Sequence, residues 1–255
     1  MIEFFQQVYA IITRYWQSLL LGVQTTLIVA LTGTVIGLLI GLIIGGLRAV
    51  KVDQTSSPII KVFKSIFQVI SSSYIGIFRG TPMMVQAVFI YYAFLNVVHW
   101  TTMQAAIVVI SINTGAYMAE IIRSGIQSVD KGQMEAARSL GLSNMQAMRY
   151  VILPQAIRNA FPSIGNEFIV NIKDSSVLMI ISITELMFQA RSIAGTTYRF
   201  TETYFIEAMI YLILTTITSI ILNLIEKRMS HTQTSYPQSI TIPENIELNK
   251  KQKGD

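Results

Sequence analysis

Leu19–Leu47 runs for 29 residues without a charged side chain. About 20 apolar residues in a helix are enough to cross the hydrocarbon of a bilayer, so this stretch spans a membrane with tilt or projects beyond it. Other uncharged runs follow: Ser65–Phe78 and Met83–Val98, separated by Arg79-Gly80-Thr81-Pro82, then Thr101–Ala119, and finally Ala208–Ile225. A further run, about Gln155–Thr184, carries Glu167, Lys173 and Asp174 inside it. Charged residues make up only 13% of the chain, about half the share usual in a soluble domain. The expected fold class is all-α integral membrane. With no cysteine there is no disulfide framework or thiolate metal site, and two histidines, His99 and His231, are too few and too scattered for a histidine-built one. The net charge of +5 does not point to nucleic acid, because the basic residues fall at the ends of the runs. Arg14 precedes the first run, but that run is too long for a signal peptide and no cleavage site with a soluble domain follows it; it reads as a retained span.

The positive-inside rule decides how often Pro58–Val98 crosses. With one crossing there are five transmembrane helices, the N-terminus lies outside and the C-terminus in the cytoplasm. Arg48, Lys51, Lys61, Lys64, Arg123, Lys131, Arg138, Arg149, Arg158, Lys227, Arg228, Lys250, Lys251 and Lys253 then all lie inside, fourteen of the 19 basic residues. Only Arg14, Arg191 and Arg199 are outside, with Arg79 and Lys173 at membrane depth. Two crossings would push one of two basic loops outward. The second span is therefore expected to be long and broken at Arg79–Pro82, with Arg79 fixing the break. Residues 1–229 form the transmembrane domain and 230–255, polar and ending in a Lys-rich stretch, a disordered cytoplasmic tail. Within the first span Gly33, Gly37, Gly41 and Gly45 recur every four residues, a flat stripe on which another helix backbone can rest.

The cytoplasmic segment of about 124–154 is unlike the rest. Asp130 with Gln133, and Ser143 with Gln146, have the spacing of capping boxes; Gly141 suits a left-handed stop between two helices; Pro154 ends the second helix or opens the next span. Two short helices at a sharp angle are expected, with Ala136 and Ala137 giving a low profile to a partner's groove and Glu135 offering a carboxylate.

The spacing of Glu135-Ala136-Ala137, Gly141 and Val151-Ile152-Leu153-Pro154 resembles the EAA signature of bacterial ABC-importer permeases, with Val151 where the family usually has Ile. Arg79-Gly80-Thr81-Pro82 and Asn171-Ile172-Lys173-Asp174-Ser175-Ser176 resemble its polar amino-acid branch. The resemblance covers about Tyr15 to Met229. It implies a type I ABC importer-like fold in a bacterial cell membrane, and an insert acting as the coupling helix, with Glu135, Ala136, Ala137, Gly141, Leu153 and Pro154 at the contact with a cytoplasmic ATPase. The chain has no G-x-x-x-x-G-K-[ST] phosphate loop. It is therefore expected to be no enzyme itself and to bind no cofactor. ATP and Mg would sit on a separate ATPase dimer, and a second permease subunit and an external substrate-binding protein would complete the machine.

Glu167, Asn171 and Asp174, at i, i+4 and i+7, share one helix face, and Ser163 extends the row. Carboxylates at bilayer depth cost roughly 2.5–3.5 kcal/mol each, so they are expected to face a water-filled path or a charged partner such as Arg79. Lys173 points aside; it offsets a carboxylate or meets a substrate carboxylate across the dimer. Asn113 and Ser72 are further candidate contacts. Two carboxylates per subunit favour a basic amino acid, with glutamine the nearest rival; a proton-coupled transporter using Glu167 and Asp174 is the rival of another class.

Overall fold

The computed structural model describes residues 1–49 and 57–230; Lys51 and the proposed tail from His231 lie outside the described residues. The order is α1 (Ile2–Ala49), α2 (Pro58–Gly80), α3 (Met83–Val98), α4 (Thr102–Gln127), α5 (Lys131–Ser139), α6 (Asn144–Ala147), a π-turn (Met148–Ile152), α7 (Leu153–Asp174), a 3-10 segment (Ser175–Ile181), α8 (Leu186–Thr197) and α9 (Phe200–Ser230). Among the described residues there is no strand. Three helices among the described residues, α1, α4 and α9, are long and apolar enough to cross a membrane alone. The number reaches five when each of two bent pairs counts as one span: α2 with α3, bent by 113°, and the α6–α7 segment with α8, bent by 56°.

The helix α4 is the hub. It begins at a complete capping box, Thr101 with Gln104, and is buried along most of its length, with Ala106, Ile110, Met118 and Ile122 fully enclosed. The glycine stripe of α1 lies against it. A Cβ built on Gly33 would come within 2.5 Å of Ile110 Cγ2, on Gly37 within 2.7 Å of Thr114 Cγ2, and on Gly45 within 2.5 Å of the Ala119 carbonyl oxygen. Between membrane helices there is no hydrophobic drive, so such close backbone approach is a main source of adhesion.

The second bent pair and the N-terminus go beyond what the hydropathy pattern indicated. Residues 2–14 are already helical, set off from the span by non-helical backbone at Tyr15 (φ −114°, ψ 16°). Ile11 and Leu19 pack with Leu186, Ile193 and Ile206. The α8 helix has too little apolar length to read as a span, yet its start is well made: the buried Glu185 carboxylate accepts from the Phe188 and Met187 backbone N–H groups at 2.7 and 2.9 Å and from the Tyr211 hydroxyl at 3.1 Å.

The break in the second span falls where expected, but Arg79 does not hold it. A turn at bilayer depth frees backbone carbonyls that lipid cannot satisfy. Here Gln86 Nε2 donates to the carbonyls of Phe78 (3.0 Å) and Thr81 (2.9 Å). Asn113 Nδ2 donates to Phe78 O (3.2 Å) and to Gln86 Oε1 (2.8 Å). Pro82, which has no N–H to lose, stands at the N-cap of α3.

Candidate functional site

The face of α7 predicted to be polar is real, but its members have different work. Asn171, 2% exposed, joins three helices: its Nδ2 donates to Thr34 Oγ1 of α1 at 2.8 Å, and its Oδ1 accepts from Thr114 Oγ1 of α4 at 3.0 Å. The amide is therefore spent on protein. Asn113 is likewise spent on the elbow between α2 and α3. Ser72 is exposed and accepts from Arg48 Nη2 at 3.2 Å, which places it with an ionic cluster in which Glu120 bridges Arg48 (3.0 Å) and Arg123 (2.7 Å). All three side chains are engaged here by partners far away in sequence, which the sequence could not show.

Two members are left without such partners. Glu167 is 9% exposed and makes no hydrogen bond or ion pair among the described residues; Asp174 and Arg79 are near enough to act on it electrostatically. Asp174, half-buried at the end of α7, also has none, with Lys173 within electrostatic reach. Lys173 itself is exposed and lies aside from the row, as expected. Asn171→Ala should lower the thermal midpoint of the purified protein, by about 1–2 kcal/mol of stability, and leave substrate KM unchanged. A KM shift measured without loss of stability would return Asn171 to the substrate.

Beside this face, α4 and α7 enclose a cleft of about 360 Å³. Arg79, Tyr117, Glu120, Ser124, Asn159 and Ser163 are among its lining residues. Arg79 Cζ stands 5.3 Å from the centre of the Tyr117 ring. The spacing of Glu120 and Arg123, i and i+3, is visible in the sequence; that Arg48 closes the cluster is not.

The insert lies in sequence between the two helices that line the cleft. Asp130 caps α5 by accepting from Gly132 N–H at 2.7 Å, while Gln133 turns its side chain toward Gln155, so the first expected capping box is only half made. The second is complete, with Ser143 Oγ accepting from Gln146 N–H at 3.2 Å and Gln146 Oε1 from Ser143 N–H at 2.9 Å. Gly141 has φ +86°, the left-handed stop that glycine adopts without strain. The insert is not, however, two separate short helices. From Asn144 the chain stays helical into α7, through a π-turn in which Leu153 N–H reaches Met148 O. The next residue is Pro154, which has no N–H to give, so the wider turn passes the proline without ending the helix. Pro154 thus opens the span. Ala137 is buried, 4% exposed, whereas Glu135 and Ala136 face outward. Leu140 (85% exposed), Met145 and Tyr150 are exposed apolar groups on the same insert.

Residues 37–231, from the glycine stripe through the insert to the end of α9, match the family described as binding-protein-dependent transport system inner membrane component. The chain belongs to this family. The probable amino-acid permease YxeN of Bacillus subtilis (strain 168) is 38% identical over 217 residues, 84% of this chain and 92% of that one. The glutamine transport system permease GlnP of Escherichia coli (strain K12) is 43% identical over 159 residues, 61% of this chain and 73% of that one. A crystal structure of an amino acid ABC transporter with histidines aligns with a TM-score of 0.74 and 40% identity over 85% of this chain and 96% of that one. An inward-facing structure of the MetNI methionine ABC transporter, at 22% identity and a TM-score of 0.71 over 85% of this chain and 98% of that one, shares the fold. This inner-membrane component is thus an amino-acid ABC permease of the type I importer fold, a transport subunit and not itself an enzyme.

Proposed function

We propose that this permease imports a polar amino acid by alternating access, as one of two permease subunits related by a two-fold axis. Its N-terminus is outside and its C-terminus cytoplasmic. An external binding protein delivers the substrate. ATP, with Mg, closes a separate ATPase dimer, and the insert from Asp130 to Pro154 carries that motion into α4 and α7. The observation that carries the substrate reading is Glu167, an enclosed carboxylate beside a polar cleft at bilayer depth, where an unpartnered acid implies a visiting cation. With Asp174 about two turns further along, a basic amino acid is the favoured cargo. Glutamine is the second reading, supported by the glutamine permeases among the relatives and by Arg79 and Lys173, which offset the two acids.

The test uses the permease with its ATPase and binding protein in liposomes, with ATP inside and labelled arginine or glutamine outside. Arginine uptake that needs ATP and falls about tenfold or more in Glu167→Gln and in Asp174→Asn, from loss of a charge-assisted contact, is the expected result. ATP-dependent uptake untouched by either substitution would make the acids structural. Preference for glutamine would select the second reading, and uptake driven by a proton gradient without ATP would sink the mechanism.

A further inference from the structure

The first turns of α1 are not needed to cross the membrane. The 29 uncharged residues from Leu19 to Leu47 already extend about 44 Å as a helix, against roughly 30 Å of hydrocarbon. Residues 2–14 precede them, set off by the non-helical backbone at Tyr15. Their depth is fixed from the side. Phe4 meets Phe205 edge to face, with ring centroids 5.4 Å apart, and Ile11 packs with Ile193 and Ile206. Phe205 and Ile206 belong to the second turn of α9, just before its uncharged run Ala208–Ile225. The segment therefore sits where the hydrocarbon ends, at headgroup level.

At about 100° per residue its side chains fall into three rows. Phe4, Val8, Ile11 and Tyr15 form one, turned to the protein. Ile2, Phe5, Tyr9, Ile12 and Trp16 form the next, at helical spacing, and all five are exposed, Tyr9 by 70%. Glu3, Gln6, Thr13 and Arg14 form the third, also exposed. An apolar row beside a polar one, at headgroup level, is what a helix lying in the surface of a bilayer presents. Tyrosine and tryptophan favour that boundary. One turn beyond Trp16 the row runs on into Leu20, exposed on the span itself, where the surroundings are acyl chains. One medium therefore covers both. We propose that residues 2–16 are an interfacial helix seated in the outer leaflet, with the Ile2–Phe5–Tyr9–Ile12–Trp16 row between headgroups and acyl chains. It ties the outer ends of α8 and α9 to the lipid surface. The choice of leaflet rests on the orientation proposed above; the seating in lipid does not. Glu3 and Arg14 are the only charged side chains among these residues, so the attraction is apolar and independent of headgroup charge.

The chain has no cysteine, so a single introduced one can carry a spin label. Tyr9→Cys places the label on the apolar row and Gln6→Cys on the polar row, both at exposed positions. Each permease is reconstituted with its ATPase inside sealed liposomes. The label's collisions are measured with oxygen, which concentrates in hydrocarbon, and with a membrane-impermeant nickel chelate added outside. The Tyr9→Cys label should meet oxygen several-fold more than chelate and the Gln6→Cys label the reverse, in phosphatidylglycerol and phosphatidylcholine vesicles alike. Phe5→Gln with Ile12→Gln should raise chelate collisions at the Tyr9→Cys label several-fold. Chelate reaching both labels equally would put the row in water and overturn the proposal. So would a Tyr9→Cys label that neither reagent reaches, which would mean that a second permease copy covers the row. Seating lost in phosphatidylcholine would overturn its apolar cause. A Gln6→Cys label reached only by chelate trapped inside would overturn the orientation and the leaflet, with the seating in lipid intact.

Discussion

Gly41→Leu is expected to abolish the stable permease. A Cβ at position 41 overlaps Met118 Cβ and would lie 2.7 Å from the Met118 carbonyl carbon. The obstacle is the backbone of α4, which cannot turn aside as a flexible side chain can. Forcing extra carbons into a packed interface costs about 1–3 kcal/mol or more, and here the helices must part. Separation would also pull Thr34 away from Asn171 and break the hydrogen bonds that join α1, α4 and α7. For a protein of this size each kcal/mol shifts the melting point by roughly 2–4 °C, so a fall of about 10 °C or aggregation on extraction is expected. Gly46→Leu is the control, because a Cβ there meets nothing within 4 Å. Thermal unfolding of the two variants in the same detergent decides the matter; equal stability would show that the stripe is filler.

Leu140→Asp and Ala136→Arg are expected to uncouple the permease without unfolding it. Both residues are exposed on the insert, and a solvated surface gains nothing from an open leucine, nor from the exposed Met145 and Tyr150 of the same insert. On the proposed coupling role these apolar groups are the seat of the ATPase. An interface anchor is worth about 2 kcal/mol or more, roughly thirtyfold in affinity. Loss of ATPase co-purification with an unchanged melting point, and uptake reduced by a similar factor, is the predicted pattern. Ala137→Arg should differ, destabilising the fold, because Ala137 faces inward. Full ATPase binding by both exposed variants would move the coupling contact elsewhere.

How much of this was legible beforehand depended on how local the physics is. Long uncharged runs fix membrane helices without help, since lipid offers the backbone no partner but itself. Caps are equally local: Ser143 and Gln146 lie within one turn of each other, and Gly141 adopts its left-handed backbone because its immediate neighbours require a stop. The four-residue glycine period announced a close helix contact, and α4 is the helix it meets. The EAA spacing located the insert, although the π-turn that bypasses Pro154 was not visible in it.

The fate of polar groups inside the membrane was not local. Glu167, Asn171 and Asp174 share a face by helix geometry, and the sequence alone determined that. Whether each amide or carboxylate on that face is spent on protein or left for a ligand depends on what stands opposite. Only the tertiary structure decided it, by setting Thr34 and Thr114 against Asn171, Gln86 against Asn113, and Arg48 against Glu120. The same packing left Arg79 out of the elbow's hydrogen bonding, because the elbow's carbonyls were satisfied by side chains from α3 and α4. A residue's chemistry is written in its type, but its availability is a property of its neighbours in space.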